Sequence, residues 1–281
     1  MSGGPRRWVV GHLHPLLFTA LSLRNRLSRQ SVLGSADVIV SLASFGSRLD
    51  YCFQAIETIA RGRVRPRRLV LWISDLPDED SVPATLRRLE RRGLEIHRTA
   101  SRISHTKYFP YVVSVDHHVL PLVTADDDCY YSRGWLDDLL EAHRQHPDEI
   151  CAHRCRTMTF VGQDLAPYVS WPLTRGVGPT PRHFLTGVSG VIYPLAFLEE
   201  LKRRGEAYQE HSPRSDDVWL NYVATVTQTP IRQLRSEARD FLGTWGSGPG
   251  LFVAEHSVTK DQILREAYGD DLIATLADAT P

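Results

Sequence analysis

The chain contains little cysteine, carries no net charge, and has no apolar stretch long enough to cross a bilayer. Its four cysteines, Cys52, Cys129, Cys151 and Cys155, do not form a pair of CxxC motifs. The spacing gives no support for a structural zinc site, and 281 residues can bury a sizeable core without disulfides. We therefore expect reduced thiols and a cytoplasmic protein.

The balance of charge gives no indication of a nucleic-acid partner. Lysine and arginine number 33, as do aspartate and glutamate, so the formal net charge is zero. Arginines are nevertheless concentrated at 61–68 and at 87–92. A solvated surface is the first interpretation of these segments, and attraction to anionic lipid or to a phosphorylated ligand is the alternative.

The N-terminal segment is basic and moderately apolar. Two arginines precede an apolar stretch at 8–23, which two histidines and a proline interrupt, and three more arginines follow before residue 30. The stretch is too short and too polar to span a membrane. We predict that residues 1–34 form a helical extension, which either packs on the domain or lies on the inner face of a membrane as a peripheral contact.

Strands and helices alternate from residue 35 onwards. Apolar runs predict strands at 37–43, 68–73 and 94–97, and apolar residues at helical spacing predict helices at 48–61 and 83–92. A βαβαβ order implies parallel strands joined by right-handed crossovers. The fold class predicted is therefore α/β, with a mostly parallel sheet flanked by helices.

The second half of the chain is less regular. Residues 156–183 hold scattered aromatic residues with proline and glycine, and glycines interrupt an apolar segment at 184–194. A glycine within a strand often marks the close approach of a ligand or another backbone. The further elements predicted are strands at 119–125 and 150–153 and helices at 133–146, 195–204 and 215–226.

Three consecutive aspartates, Asp126, Asp127 and Asp128, follow the predicted strand 119–125 directly. Adjacent carboxylates disfavour one another's ionisation unless water or a cation compensates them. Hard divalent cations take carboxylate oxygens, and ligands of open α/β sheets bind beyond the carboxyl ends of the strands. The triplet therefore predicts a site for Mg²⁺ or Mn²⁺.

A second acidic pair begins the predicted helix 215–226. Ser215 suits the N-cap, and Asp216 and Asp217 then occupy the first turn, where the helix dipole favours negative charge. That placement accounts for the pair structurally. The functional alternative is a carboxylate held rigidly at a helix end and used as a general base.

Other polar residues fall where strands end or the pattern breaks. Ser44 and Arg48 follow the first strand, and Asp75 follows the second. Lys107 lies in the irregular segment before the triplet, where its ammonium group suits a phosphate. His256 is a further candidate because a neutral imidazole can bind a metal.

The chain resembles nucleotide-sugar-dependent glycosyltransferases of the GT-A fold, in particular the family-2-like bacterial enzymes of surface-polysaccharide synthesis. The resemblance covers about residues 36–225 and rests on the order and spacing of five segments rather than on a single motif. These segments are 40–48, 107–110, 123–128, 187–194 and 215–220.

The resemblance implies one catalytic domain at 35–281, with a nucleotide-binding half at 35–130 and an acceptor half and C-terminal tail at 131–281. It implies transfer, with inversion, of a sugar from a nucleotide-sugar donor to a hydroxyl of a glycan or lipid-linked acceptor. The residues it implies are Asp217 or Asp216 as catalytic base, Ser44, Arg48, Asp75, Lys107, Asp126 and Asp127 on the donor, Asp126, Asp128 and His256 on Mn²⁺ or Mg²⁺, and Gly187, Ser189, Gly190 and Trp219 on the acceptor side.

Two other interpretations remain open from the sequence. A haloacid-dehalogenase-like phosphatase also uses a strand-ending Asp-x-Asp and a later Asp-Asp with Mg²⁺, but here the triplet follows at least three strands and Tyr130 stands two residues after Asp128. A sugar- or nucleotide-binding module without turnover is the non-enzymatic alternative.

Overall fold

A seven-stranded sheet forms the centre of the protein in the computed structural model, which describes residues 5–74, 81–100, 104–246 and 260–279. The strand order is β11-β5-β10-β4-β1-β2-β3. The strands of the sheet are β1 (Ala36–Phe45), β2 (Pro66–Ser74), β3 (Glu95–Arg98), β4 (Leu122–Thr124), β5 (Ile150–Ala152), β10 (Val191–Tyr193) and β11 (Ile231–Gln233).

All strand pairs of this sheet are parallel except those of β10, which runs antiparallel to both β4 and β5. The predicted α/β class with a mostly parallel sheet is therefore confirmed. Two small antiparallel pairs lie outside it and use β6 (Cys155–Thr157) with β9 (His183–Leu185), and β7 (Phe160–Val161) with β8 (Asp164–Leu165).

Helices cover both faces of the sheet, and its strands are therefore buried on both sides. On one face Val38, Val40 and Leu42 of β1 share a core with the first helices, and on the other face Ile39 packs with α4, α6 and α8. The helices are α1 (Pro5–Leu27), α2 (Phe53–Ala60), α3 (Ala84–Glu90), α4 (Phe109–Ser114), α5 (Trp135–Gln145), α6 (Leu195–Arg204), α7 (Tyr208–His211), α8 (Asp216–Val226) and α9 (Lys260–Asp278).

The strand before the aspartate triplet is shorter than the sequence predicts. Only Leu122–Thr124 pairs with β1, in register with Ile39–Ser41, whereas Val119 is 78% exposed. Pro121 lacks the N–H that would continue the ladder. The predicted strand at 119–125 is therefore wrong for its first three residues and for Ala125, but the triplet still lies just beyond the end of a buried strand.

The last helix was not predicted. Lys260–Asp278 is interrupted at Gly269, where φ is +65°. Its buried residues Leu264, Tyr268 and Ile273 form a third core with Trp171 and the β9 region. Gly269 and the two aspartates that follow it break the helical pattern, so the sequence does not predict this helix.

Helix α1 lies within the predicted N-terminal extension and packs on α2 and α3. Leu21 and Asn25 are each 1% exposed. Below them Glu57 of α2 is fully buried, and it accepts hydrogen bonds from Asn25 Nδ2 at 3.1 Å and from Arg24 Nε at 3.0 Å. Arg92 completes the set through a two-point ion pair with the same carboxylate. Within the described residues, no helix is both long enough and apolar enough to cross a bilayer.

The Glu57 carboxylate provides a test of how α1 is attached. Glu57→Ala leaves Arg92 buried without a counter-charge, and breaking a buried ion pair in this way costs about 3–5 kcal/mol. We expect a loss of about 3 kcal/mol in the free energy of unfolding, measured by urea denaturation. Glu141→Ala is the matched control, since Glu141 is 52% exposed beside Arg144 and its loss should cost less than about 1 kcal/mol. Equal effects of the two substitutions would contradict this account.

Candidate active site

The candidate site lies at the carboxyl ends of β1 and β4, which are neighbouring parallel strands. Parallel strands present their carboxyl ends at one edge of the sheet, so residues 83 positions apart in the sequence meet there. Ser44 at the end of β1 donates from Oγ to Asp127 Oδ2 at 2.5 Å. The loops after β1 and β4 therefore lie against each other at this edge of the sheet.

Asp127 is the most enclosed carboxylate of the triplet. Its side chain is 7% exposed and forms a two-point contact with the guanidinium group of Arg48, whose Nε donates to Oδ2 at 3.1 Å. Arg48 Nη2 also lies 2.9 Å from Asp128 Oδ2. Arg48 therefore orients two of the three aspartates, and Asp127 joins the β1 loop to the β4 loop.

Asp126 and Asp128 are the more accessible members, with side chains 22% and 28% exposed. A carboxylate oxygen of Asp126, a carboxylate oxygen of Asp128 and the Sγ atom of Cys129 all lie within 4.8 Å of one another. Burial raises the pKa of the Cys129 thiol, which donates to Asp128 Oδ1 at 3.7 Å, so it stays protonated. Two carboxylates suit Mg²⁺ or Mn²⁺, which complete their coordination with substrate oxygens and water.

The backbone of the triplet is fixed from both sides. The Tyr131 hydroxyl accepts a hydrogen bond from Asp126 N at 2.7 Å, and Thr244 N donates to Asp128 O at 2.7 Å. Cys129 also forms a β-bridge with Gly243. These contacts hold the aspartates in one geometry, as a binding site for a small cation requires.

Lys107 connects the triplet to the second acidic pair. It ends a short 3₁₀ segment, Ser104–Lys107, and its side chain is 13% exposed. Its Nζ lies 3.4 Å from Asp126 Oδ1 and 2.8 Å from Asp216 Oδ2. One ammonium group therefore links a carboxylate after β4 to a carboxylate at the start of α8.

The start of α8 is capped as the sequence predicts. The side chain of Ser215 accepts from Val218 N at 3.4 Å. Ser104 Oγ accepts from Asp216 N at 2.9 Å, which fixes the 3₁₀ segment of Lys107 against the helix end. The Ser215 cap is thus a local feature of α8, whereas Ser104, which binds the backbone of Asp216, comes from elsewhere in the chain.

Asp217 takes two further partners that the sequence analysis does not identify. Its Oδ1 accepts from Gly187 N at 2.7 Å, and its Oδ2 lies 3.1 Å from Nζ of Lys260, the first residue of α9. Lys260 Nζ also lies over the ring of Tyr168 at 4.5 Å. Lys260 follows no motif, and only the three-dimensional structure brings it to Asp217.

Gly187 is placed where a side chain does not fit. A Cβ atom at this position would lie against Lys107 Nζ and 3.1 Å from Asp217 Oδ1. Gly187 lies in the turn between β9 and β10 rather than within a strand, and the groups that approach it are charged side chains rather than another backbone. It allows Lys107 and Asp217 to converge on the same backbone.

Charge within the cluster favours a cation. Five aspartates stand against Arg48, Lys107 and Lys260 among the described residues, which leaves two negative charges, the charge that one divalent ion neutralises. Burial raises the pKa of Asp126 to about 7, with Lys107 opposing this effect. A cation bound there would displace the proton that Asp126 otherwise shares near neutral pH.

Asp217 and Lys107 are ionised at neutral pH. Burial opposes the charge of Asp217, but Lys260 and Lys107 outweigh it, so the pKa of Asp217 lies below its ordinary value. Burial alone would lower the pKa of Lys107, yet Asp216 and Asp126 raise it well above the ordinary value. Asp217 is therefore an ionised carboxylate whose side chain is 19% exposed, whereas that of Asp216 is only 8% exposed.

The remaining predicted residues lie in different surroundings. Ser189 is buried with φ at +79°, and its carbonyl oxygen accepts from Trp135 Nε1 at 2.8 Å, while Gly190 packs against the same indole ring. Trp219 is 1% exposed and belongs to the core beside Tyr222 and His211, so it packs inside the domain and does not line an open surface.

Two predicted residues, Asp75 and His256, lie outside the described residues. His105, in turn, has a role that sequence reasoning missed. Its Nε2–H donates to the carbonyl oxygen of Ser212 at 2.8 Å, and its Nδ1 accepts from the Tyr108 hydroxyl at 2.8 Å. The ring thereby ties the Lys107 segment to the turn before α8.

No protein-family model matches the chain, and no curated protein does. Solved structures resemble it. S. aureus TarS 1-349 in complex with UDP-GlcNAc aligns with a TM-score of 0.53 at 14% identity, over 88% of this chain and 68% of that chain. A second structure of TarS 1-349 gives a TM-score of 0.50 at 12% identity, over 84% and 71% of the two chains.

A 4-diphosphocytidyl-2C-methyl-D-erythritolsynthase from Anaerococcus prevotii aligns with a TM-score of 0.49 at 11% identity, over 81% of this chain and 97% of that chain. At the identities of the TarS structures, the likeness establishes a shared fold. The GT-A-like fold expected from the sequence is thereby confirmed.

The buried ring of His105 predicts a pH dependence of stability. Burial lowers the pKa of His105 to about 4, against 6.5 for an ordinary histidine. The unfolded chain therefore binds the proton first, so stability is lost as pH falls from 6.5 to 4, by about 3 kcal/mol from this residue. We expect His105→Gln to reduce the change in urea midpoint between these two pH values. An unchanged pH dependence would contradict the neutral buried ring.

Proposed function

We propose that this protein is a metal-dependent glycosyltransferase that moves a sugar from a nucleoside-diphosphate donor to a hydroxyl of a glycan or lipid-linked acceptor, with inversion. The observation that carries the proposal is the position of Lys107. Its ammonium group joins the strand-end carboxylates, which suit a metal, to the acidic pair at the start of α8, which suits a base. The carboxylates that suit a metal and the carboxylate that suits a base thus belong to one cluster of ion pairs.

The donor half of this proposal comprises residues 35–130. The loops after β1 and β4 meet at the sheet edge where nucleotides bind in open α/β folds. Lys107 supplies a positive charge for the diphosphate beside Asp126, and Arg48 and Ser44 hold Asp127 in place. The TarS structure with UDP-GlcNAc has the same fold, which makes a nucleotide-sugar donor the natural choice.

Asp126 and Asp128 would hold Mn²⁺ or Mg²⁺. Their partial exposure and the two uncompensated negative charges of the cluster fit such an ion. When bound, the ion supplies positive charge to the departing nucleoside diphosphate. The chain's own contribution is to orient the two carboxylates through Arg48, Tyr131 and the backbone of Thr244.

Asp217 is the proposed base that removes the proton from the acceptor hydroxyl. Its lowered pKa keeps it ionised, and Gly187 N–H and Lys260 fix the orientation of its two oxygens. Asp216 is less exposed and is paired with Lys107, which suits a positioning role. In this proposal the acceptor binds beside the backbone of residues 187–190. These residues belong to the acceptor half of the chain, which follows residue 130.

Turnover of a nucleotide-sugar panel tests the proposal. The full chain is incubated with UDP-, GDP- and dTDP-sugars and Mn²⁺, with and without EDTA, and nucleoside diphosphate release is measured. Metal-dependent release from one donor class supports a transferase. Phosphate release from sugar phosphates, with the nucleotide sugars left intact, would indicate a phosphatase instead. Binding without any turnover, even when glycan and lipid-linked hydroxyl acceptors are added, would indicate a binding module.

Single substitutions separate the two halves of the site. Asp128→Asn should lower donor binding and reduce turnover by about a hundredfold or more, because it removes a metal ligand. Asp217→Asn should preserve donor binding but lower turnover by about 10²–10⁴-fold, because it removes a base. Asp116→Asn, an exposed aspartate before β4, is the control and should change neither quantity. Full transfer by Asp217→Asn would exclude this residue as the base.

The close approach at Gly187 gives an independent prediction. Gly187→Ala places a methyl group between Lys107 and Asp217, so the lysine end must move while the fold is retained. We expect at least about a tenfold loss of kcat, since misplacement by about 1 Å can cost a hundredfold, with little change in Tm. Gly178→Ala is the matched control, because a Cβ there meets no atom within 4 Å. Wild-type kcat in Gly187→Ala would contradict the proposed geometry.

A further inference from the structure

The outer face of α1 carries an apolar stripe that no other part of the described structure covers. Leu16, Leu23 and Leu27 are 69%, 52% and 76% exposed. With Ala20 they follow one another at intervals of four, three and four residues, which places them on one side of a helix. Leu21, on the other side, is buried against α2, so the stripe points away from the domain.

The sequence around this stripe is basic throughout. The first 36 residues contain five arginines and no aspartate or glutamate. The apolar spacing of the stripe also extends upstream in the sequence to Leu13 and Val9. An exposed apolar stripe beside basic residues, with no acidic residue nearby, has the composition of segments that lie in a membrane interface.

An arginine cluster of the folded domain borders the stripe. Arg24 precedes Leu27 by three residues and is therefore its neighbour on the helix surface. Arg61 follows the end of α2. Burial lowers the pKa of its guanidinium group, and the nearby positive charges of Arg133 and Arg24 lower it further. Arg63 N donates to the carbonyl oxygen of Arg133 at 2.8 Å, so the three arginines at 61, 63 and 133 are neighbours.

This arginine cluster, Arg61, Arg63 and Arg133, has no acidic partner in the part of the chain that the structure describes. Arg61 Nε is also buried there without a hydrogen-bond acceptor. Arg24, which lies beside the cluster, is paired with Glu57. Like charges gathered without a counter-charge attract anions.

We propose that the α1 stripe and the arginine cluster form one surface that lies on an anionic lipid membrane. The leucines enter the boundary between headgroups and acyl chains, and the arginines bind lipid phosphates beside them. Two chemically different features of the surface, one apolar and one cationic, thus match the two layers of a lipid leaflet.

A second copy of the chain fits this surface less well. Two α1 helices placed stripe to stripe would bring their arginines together, and the first 36 residues offer no acidic residue to separate them. Like-charge contacts of this kind oppose association. An anionic membrane offers both apolar volume and negative charge. The positive charge of the α1 surface therefore favours lipid over a second copy of the chain.

Vesicle binding tests this proposal without donor, acceptor or metal, so its outcome is independent of the proposed transferase reaction. The full chain is floated with phosphatidylcholine vesicles that contain or lack phosphatidylglycerol. We expect binding to the anionic vesicles only, weakened by added salt. Equal binding to both vesicle types, or to neither, would overturn the proposal.

Two sets of substitutions assign the binding to the two features. Leu16→Gln, Leu23→Gln and Leu27→Gln combined should weaken anionic-vesicle binding by about tenfold or more. Arg61→Gln with Arg133→Gln should weaken it by about 25-fold, as each arginine near such a surface contributes about fivefold. Val161→Gln with Val169→Gln, which replaces valines 72% and 83% exposed elsewhere, is the control for the stripe.

The pattern of results decides between the alternatives. Loss of vesicle binding in both variant sets, with an unchanged Tm, supports the combined surface. Binding that depends on the arginines alone would overturn it in favour of a simple anion site. A wild-type chain that dimerises in analytical ultracentrifugation, and becomes monomeric when the leucines are replaced, would overturn it in favour of a second copy.

Discussion

The candidate site depends on the ion pairs of one buried lysine. Lys107 Nζ lies 2.8 Å from Asp216 and 3.4 Å from Asp126, so it connects the carboxyl edge of the sheet to the start of α8. Without this cation five aspartates would face one another in a partly buried space, where like charges cannot all ionise. The ion pairs hold the carboxylates in fixed positions and oppose the rise that burial causes in the pKa of Asp126. A site that binds a metal and a diphosphate needs such fixed positions.

The rest of the fold serves to place this lysine. The His105 ring and the Ser104 hydroxyl tie its 3₁₀ segment to the turn and helix that carry Asp216. Gly187 leaves room for its ammonium group, and Lys260 takes over the neutralisation of Asp217. Four segments that are distant in sequence therefore meet around one charge. This convergence also explains why Asp216 and Asp217, although adjacent, have different surroundings: one is enclosed by Lys107 and the other is held at the backbone of Gly187.

The sequence predicted the features that are local and periodic. The βαβαβ order, the aspartate triplet after a buried strand, and the Ser215 cap all follow from spacing and residue type, because strand ends and helix starts have recognisable chemistry. Lys260 and His105 could not be identified in this way, since their partners lie 43 and 107 residues away. The length of β4 was overestimated because Val119 and Leu120 are apolar, and apolarity alone does not show that a residue is paired. Trp219 was assigned beside the site by its position in a motif, whereas its side chain turns into the core.

The central claim is that the carboxylates beside Lys107 bind a nucleoside diphosphate through a divalent cation. Calorimetric titration of the full chain with UDP, GDP and dTDP, in the presence of Mn²⁺ and after its removal, tests this most directly because it requires neither the correct sugar nor the acceptor. The account predicts that one nucleoside diphosphate binds in the presence of Mn²⁺, and that affinity falls at least about tenfold when the metal is removed or when Lys107 is replaced by methionine. Binding of equal strength without metal and in Lys107→Met would contradict it.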